Sequence, residues 1–206
     1  KGGEDEALEA IEREAARGTA LARRARSLAP ETVDASEGQP VDLRGLVQEV
    51  AAEISGRPGA SVSFEDLSPP SEEPLMVCGA PGPLRQSLYQ VMENAAEAQD
   101  EGTVKLRLHV LEQDEAAASR RPGSGAGRFA LVAVKDEGEG MTEEVRTRAF
   151  APFFSTKGAE ASGLGLTLAA GIVRAHGGFI ELDSEPGRGT VARLAFPLVT
   201  QEGEAT

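Results

Sequence analysis

Apolar positions along this chain change rhythm several times, and each change predicts an element. Within residues 4–29, Leu8, Ile11, Ala15, Gly18, Ala22 and Ala25 recur at three- and four-residue steps, the spacing of one helical face. That face is narrow and built mostly of small residues, so the predicted long N-terminal helix wants a close partner helix, as in a bundle or coiled coil. Arg23, Arg24 and Arg26 read as a solvated group near its C-terminal end. Residues 31–40 are rich in Pro, Ser, Gly and Glu and read as a linker. Asp42 then caps a short helix with apolar positions at Leu43, Leu46, Val47, Val50 and Ile54.

Residues 61–67 and 75–78 read as strands, and Pro81 starts a helix whose buried face carries Leu84, Leu88, Val91, Met92, Ala95 and Ala96. Alternation of Val104, Leu106, Leu108 and Val110 marks a strand over 103–111. Residues 112–127 are polar, small and aperiodic and read as a mobile surface hairpin loop without a functional role. Its partner strand is 129–134. Thr142 with Glu143 and Glu144 begins a short helix near Phe150, and a later helix opens at 163–166 and ends at His176-Gly177-Gly178. Two closing strands, 179–182 and 190–196, flank a Pro/Gly turn, and 199–206 read as a disordered tail. This order predicts an α+β fold, a two-layer α/β sandwich with helices on one face of the sheet. Glycines 163 and 165 do not follow a strand, so a dinucleotide-binding βαβ unit is excluded.

Composition narrows the function. A net charge of −13 over 206 residues argues against nucleic acid or an anionic membrane surface as partner. A single cysteine, Cys78, forms no internal disulfide and fits a cytoplasmic chain. No apolar run reaches the ~20 residues of a membrane span, and a membrane-tethered or soluble sensor upstream of Lys1 stays open.

Four stretches carry candidate chemistry. The apolar run Leu131 to Val134 delivers a carboxylate, Asp136, to its end and then turns on Gly138 and Gly140. Such a turn serves either plain loop geometry or close approach of backbone to a flat ligand, with the acid accepting from an exocyclic amine. Asn94 lies among apolar positions on its helix, with Gln90 one turn before. It suits a buried backbone hydrogen bond or a Mg²⁺ ion that also takes phosphate oxygens. Gly163 to Leu166 opens a helix, whose free N–H groups can hold phosphate. Between them Phe153, Phe154 and Lys157 form either a packed pair with a surface lysine or a hinge that closes a cation over phosphate.

Taken in order, Asn94, Asp136-x-Gly138-x-Gly140-Met141, Phe150-x-Pro152-Phe153-Phe154-Ser155-Thr156-Lys157 and Gly163-Leu164-Gly165-Leu166 resemble the N, G1, F and G2 boxes of the sensor histidine kinases. These kinases fall within the ATPase family shared with gyrase, Hsp90 and MutL. Ser184-x-Pro186-Gly187-x-Gly189-Thr190 and Phe196-Pro197 resemble the closing strands of that family. The resemblance implies a Bergerat-type fold with a mixed sheet. It implies ATP and Mg²⁺ as ligands, with Asn94 on the metal and Asp136 on the adenine amine. Gly138, Gly140 and Met141 would wall the ring, Thr190 would support Asp136, and Gly163, Leu164, Gly165 and Leu166 would lie against the phosphates. Residues 142–162 would be a lid bringing Lys157 to the triphosphate, so that Asn94 and Lys157 serve catalysis.

The same resemblance divides the chain into residues 1–30, the second helix of a dimerisation and phosphoacceptor bundle, a linker, and an ATP-binding catalytic domain over 41–198. It implies homodimerisation in the full protein and a response regulator receiver domain as partner. Departures from the pattern are Gln90 in place of the glutamate of hydrolysing relatives, Ala161 in place of a glycine, Ala151 in place of an acid, and no phosphoacceptor histidine. An amide is no general base, so transfer of phosphate to another side chain is favoured over hydrolysis. His109 and His176 read as structural, the acceptor is expected upstream of Lys1, and this stretch alone is expected to bind ATP without phosphorylating itself. A non-catalytic nucleotide-binding module, a pseudokinase, is the alternative reading, and a gyrase–Hsp90 type ATPase is a further one that Gln90 disfavours.

Overall fold

The computed structural model describes residues 38–69, 74–99, 102–121, 124–158 and 161–199. The predicted N-terminal helix, most of the linker and the tail beyond Val199 lie outside the described residues. The described residues form seven strands and five helices: β1 (Gln39–Asp42), α1 (Leu43–Ser55), β2 (Ala60–Asp66), β3 (Met76–Gly79), α2 (Pro81–Glu97), β4 (Gly102–Gln113), α3 (Glu115–Ala118), β5 (Gly127–Lys135), α4 (Glu143–Arg148), α5 (Gly165–Ala175), β6 (Phe179–Ser184) and β7 (Thr190–Pro197).

Five strands form one sheet in the order β2-β4-β5-β7-β6, and β1 pairs with β3 in a two-stranded sheet. The β2–β4 pair is parallel and the other three pairs are antiparallel. The sheet is therefore mixed, and its single parallel pair follows from α2 crossing between β2 and β4. Helices α1, α2 and α5 lie on one face, burying Leu43, Val47, Ile54, Leu84, Leu88, Met92, Ala169 and Val173 against Val104, Leu106, Val132, Val134, Leu194 and Phe196. This is the two-layer α+β sandwich that the sequence predicts.

Local chemistry sets the element ends. Asp42 accepts a hydrogen bond from Arg44 N–H as the α1 N-cap, and Pro81 occupies the first turn of α2. Both positions suit their residues, since a cap needs an acceptor and the first helical N–H is unpaired anyway. β1 includes Gln39 and Pro40, paired with Gly79 and Cys78, so strand structure begins two residues before the expected domain start at 41.

The 112–127 segment reads from sequence as a surface hairpin loop, and its described residues carry more regular structure than that reading holds. Glu112 and Gln113 extend β4, and Asp114 caps α3 by accepting from Ala117 N–H. Gln113 is buried and donates to Ser124 Oγ at 3.0 Å and the Gly125 carbonyl at 2.8 Å. Arg121 lies 4.4 Å from the Phe179 ring centroid and pairs with Glu181 at 2.7 Å. The segment thus covers part of the sheet's other face, where Phe129, Leu131, Phe179 and Ala195 make a second small core. Its alanines hid this: a helix of one turn carries no readable periodicity. Alternation explains why 129–134 is apolar throughout, since successive β5 side chains enter opposite cores.

Candidate functional site

Asp136 directly follows β5 and is only 4% exposed. Its Oδ1 accepts from Gly138 N–H at 3.0 Å and Thr190 N–H at 3.1 Å. The Asp136 N–H in turn donates to the Thr190 carbonyl at 3.0 Å. Burial pushes the Asp136 carboxyl above its ordinary value, against the pull of the backbone donors and of the Lys157 charge. A buried acid held by backbone on one oxygen is fixed in direction, with little rotamer freedom left to lose on binding.

Glycines hold the loop beside it. Gly140 has φ +68°, and a Cβ there would stand 2.0 Å from the Glu185 carbonyl oxygen; one on Gly138 would stand 2.3 Å from the Ala98 carbonyl oxygen. The Ser184–Thr190 turn is packed against this loop, with Gly187 N–H donating to the Glu139 carbonyl at 2.7 Å. Thr190 is bound to Asp136 through its backbone, while its hydroxyl sits 2.9 Å from Ser184 Oγ. Met141 packs on the core beside the cleft.

The opposite wall is α2. Asn94, Gln90, Glu93 and Glu97 line one continuous cleft of about 1130 Å³ with Asp136, Gly138, Gly140, Met141, Lys157, Gly163, Gly165, Leu166 and Thr190. Leu164 is buried and is the residue before α5, so the helix begins at Gly165, two residues after the glycine expected to open it. Gly163 has φ +62°, and a Cβ on it would stand 2.5 Å from the Phe153 carbonyl carbon. A Cβ on Gly165 would stand 2.6 Å from Gln90 Oε1 and 3.6 Å from Asn94 Nδ2. The first turn of α5, whose N–H groups lack partners within the helix, therefore lies beside the Asn94 wall, an arrangement that attracts anions.

Of the two phenylalanines, Phe154 lines the cleft beneath Arg148, whose guanidinium is 4.3 Å from its ring. Phe153 points outward, 62% exposed, with φ +64°. Lys157 is not free: its Nζ pairs with Glu97 Oε2 at 2.7 Å. Residues 159–160 of the expected lid lie outside the described residues. The pairing of Lys157 with Glu97 is not readable from sequence, because which way a helical carboxylate turns depends on a neighbour far along the chain.

Residues 79–200 match the family model described as Histidine kinase-, DNA gyrase B-, and HSP90-like ATPase. The chain belongs to this family. It is 32% identical over 168 residues to the sensory histidine kinase/phosphatase NtrB of Rhodobacter capsulatus, covering 81% of this chain and 45% of that protein. Sporulation kinase A of Bacillus subtilis is 31% identical over 158 residues, covering 76% of this chain and 23% of the kinase. The chain thus spans less than half the length of these relatives. Among solved structures, full-length ShkA in complex with AMPPNP superposes with a TM-score of 0.62 at 27% identity, covering 80% of this chain and 32% of that one.

The ATPase-family cleft fits Mg²⁺ in a limited way. Among the described residues no cluster of three His, Cys, Asp or Glu could hold a metal by itself. A Mg²⁺ bound largely through phosphate oxygens and water needs only one or two protein oxygens, and the Asn94 amide on the cleft wall meets that need. Among the described residues no helix is long and apolar enough to cross a membrane.

Proposed function

We propose that this domain binds Mg²⁺-ATP and, in the full protein, passes the γ-phosphate to a histidine and then to an aspartate of a response regulator receiver domain. The observation that carries the reading is the placement of a buried, backbone-fixed acceptor, Asp136, across one cleft from Asn94 and the opening turn of α5. The adenine amine would donate to Asp136, with the glycine loop and Met141 along the ring. Gly163, Leu164, Gly165 and Leu166 would lie along the phosphates, and Lys157 would add a positive charge. Bound through Asn94, Mg²⁺ would neutralise charge on the phosphates; the chain's own part is positioning and electrostatics.

Kinase rather than hydrolase action is supported by Gln90, which stands on the cleft wall and cannot accept a proton from water. Both histidines are poor acceptors. His176 is 4% exposed with Nδ1 2.7 Å from the Ile172 carbonyl, and burial and the nearby Arg193 charge lower the pKa of His109, whose Nδ1 is buried. The accepting histidine therefore belongs to another segment or chain, in keeping with a homodimeric kinase, cytoplasmic in its catalytic part.

The test is calorimetric titration with ATP and ADP, each with and without Mg²⁺, followed by incubation with an added helical fragment carrying an acceptor histidine. Magnesium-dependent binding and labelling of the fragment are expected, both lost in Asn94→Ala. Absence of nucleotide binding at millimolar concentration would overturn the reading.

A further inference from the structure

The loop between α1 and β2 lies outside residues 79–200, which match the family model, yet one of its side chains contacts Glu93, which lines the cleft. Arg57 Nη2 donates to Glu93 Oε1 at 2.9 Å and also to the Tyr89 hydroxyl. Its guanidinium lies 5.2 Å from the Tyr89 ring centroid. The Tyr89 hydroxyl donates to the same Glu93 oxygen at 3.3 Å. Glu93's other oxygen, Oε2, accepts from Gln90 Nε2 at 3.4 Å. Glu93 is thus held from both sides, and its side chain is only 24% exposed.

Two consequences follow from this chain of contacts. An ionised carboxylate only accepts, so the amide nitrogen of Gln90 turns toward Glu93 and its carbonyl turns away. That carbonyl faces the first residue of α5, where a Cβ on Gly165 would meet it at 2.6 Å. Glu93 also stands directly before Asn94 and on the cleft wall. Without a counter-charge it would repel a polyphosphate there.

We propose that Arg57 is a positioning residue for the phosphate end of the site, neutralising Glu93 and thereby fixing the Gln90 amide beside Asn94 and the opening turn of α5. The assignment rests on the reading that the cleft holds Mg²⁺-ATP. A lone exposed ion pair would do little; here the arginine is stacked on a ring and its partner acid lines the cleft. Arg57 touches no ligand itself and acts through Glu93.

The experiment is a double-mutant cycle on the full 206-residue chain, read by calorimetry with Mg²⁺-ATP and with adenosine, which lacks phosphate. Arg57→Ala is expected to weaken Mg²⁺-ATP by about fivefold or more and to leave adenosine affinity unchanged. Arg57→Lys should recover most of the loss. In the Glu93→Gln background, where no charge needs neutralising, Arg57→Ala should cost less than about twofold. Should Arg57→Ala fail to melt cooperatively, Arg57→Gln, which keeps a stem over Tyr89, takes its place in the cycle. Equal losses for ATP and adenosine, or losses that add across the cycle, would mean a merely structural arginine and overturn the assignment. If the unsubstituted chain binds no Mg²⁺-ATP, the nucleotide reading itself fails and the Arg57 assignment falls with it.

Discussion

Lys157 Nζ and Glu97 Oε2 meet at 2.7 Å across the mouth of the cleft. They tie the segment after Phe154 to the last turn of α2, one turn beyond Asn94. The lysine expected to meet a triphosphate is therefore already engaged, and a phosphate would have to displace Glu97 to take it. Both side chains are partly exposed, at 40% and 49%, so the exchange involves a weak pair of ~0.2–1 kcal/mol.

Glu97→Gln should release Lys157 and raise Mg²⁺-ATP affinity by up to about fivefold, with adenosine affinity unchanged. Parallel titrations check this. A weaker ATP complex in the variant would show instead that Glu97 contributes to binding directly.

Asp136→Asn keeps the size of the side chain but replaces a charged acceptor with an amide. Hydrogen bonds to charged groups contribute ~1.5–3 kcal/mol, so adenine nucleotides should bind at least about tenfold more weakly while the far-ultraviolet circular dichroism stays native. Unchanged affinity in the folded variant would remove Asp136 from the site.

The pH dependence follows from the raised Asp136 pKa. The ionised carboxylate is the stronger acceptor and protonation weakens it, so nucleotide affinity should fall on acidification, beginning above the ~3.9 of an ordinary aspartate. Stability moves the other way at this residue. Above its folded pKa the native state bears the cost of a buried charge; as pH falls through that value towards the unfolded one, the native state takes up the proton first and gains stability. The native chain should therefore gain stability relative to Asp136→Asn as pH falls, measured by paired thermal melts.

Two glycine substitutions should act in opposite directions. Gly140→Ala places a Cβ at φ +68° and 2.0 Å from the Glu185 carbonyl oxygen, and should destabilise by about 2 kcal/mol or more. Gly171 lies within α5, and a Cβ there would meet nothing within 4 Å, so Gly171→Ala should stabilise by ~0.5–1 kcal/mol. Thermal melts of both variants decide.

Much of the fold was legible because its elements obey simple periods. Val104, Leu106 and Leu108 alternate into one core, and α1 and α2 carry their apolar residues at helical spacing with readable starts at Asp42 and Pro81. The candidate cleft was legible through order along the chain: Asn94, Asp136, the glycine pairs and Lys157 all line it. Less legible was anything set by a distant partner. The 112–127 segment reads as a mobile hairpin loop, yet Arg121 joins Gln113 and lies over the Phe179 ring. Phe153 and Phe154 read as one hinge, yet the left-handed backbone at Phe153 sends it outward while Phe154 turns in.

By itself the sequence determined the periods, the caps and which residue types stand at which motif positions, because those depend on neighbours within a few residues. Only the tertiary structure decided how those positions are charged and aimed. Asp136 is held by Thr190, which is 54 residues away, Lys157 by Glu97, and Glu93 by Arg57 from a loop before the matched domain. Hydrogen bonds and ion pairs act over about 3 Å of space whatever the separation along the chain, and sequence records only the latter.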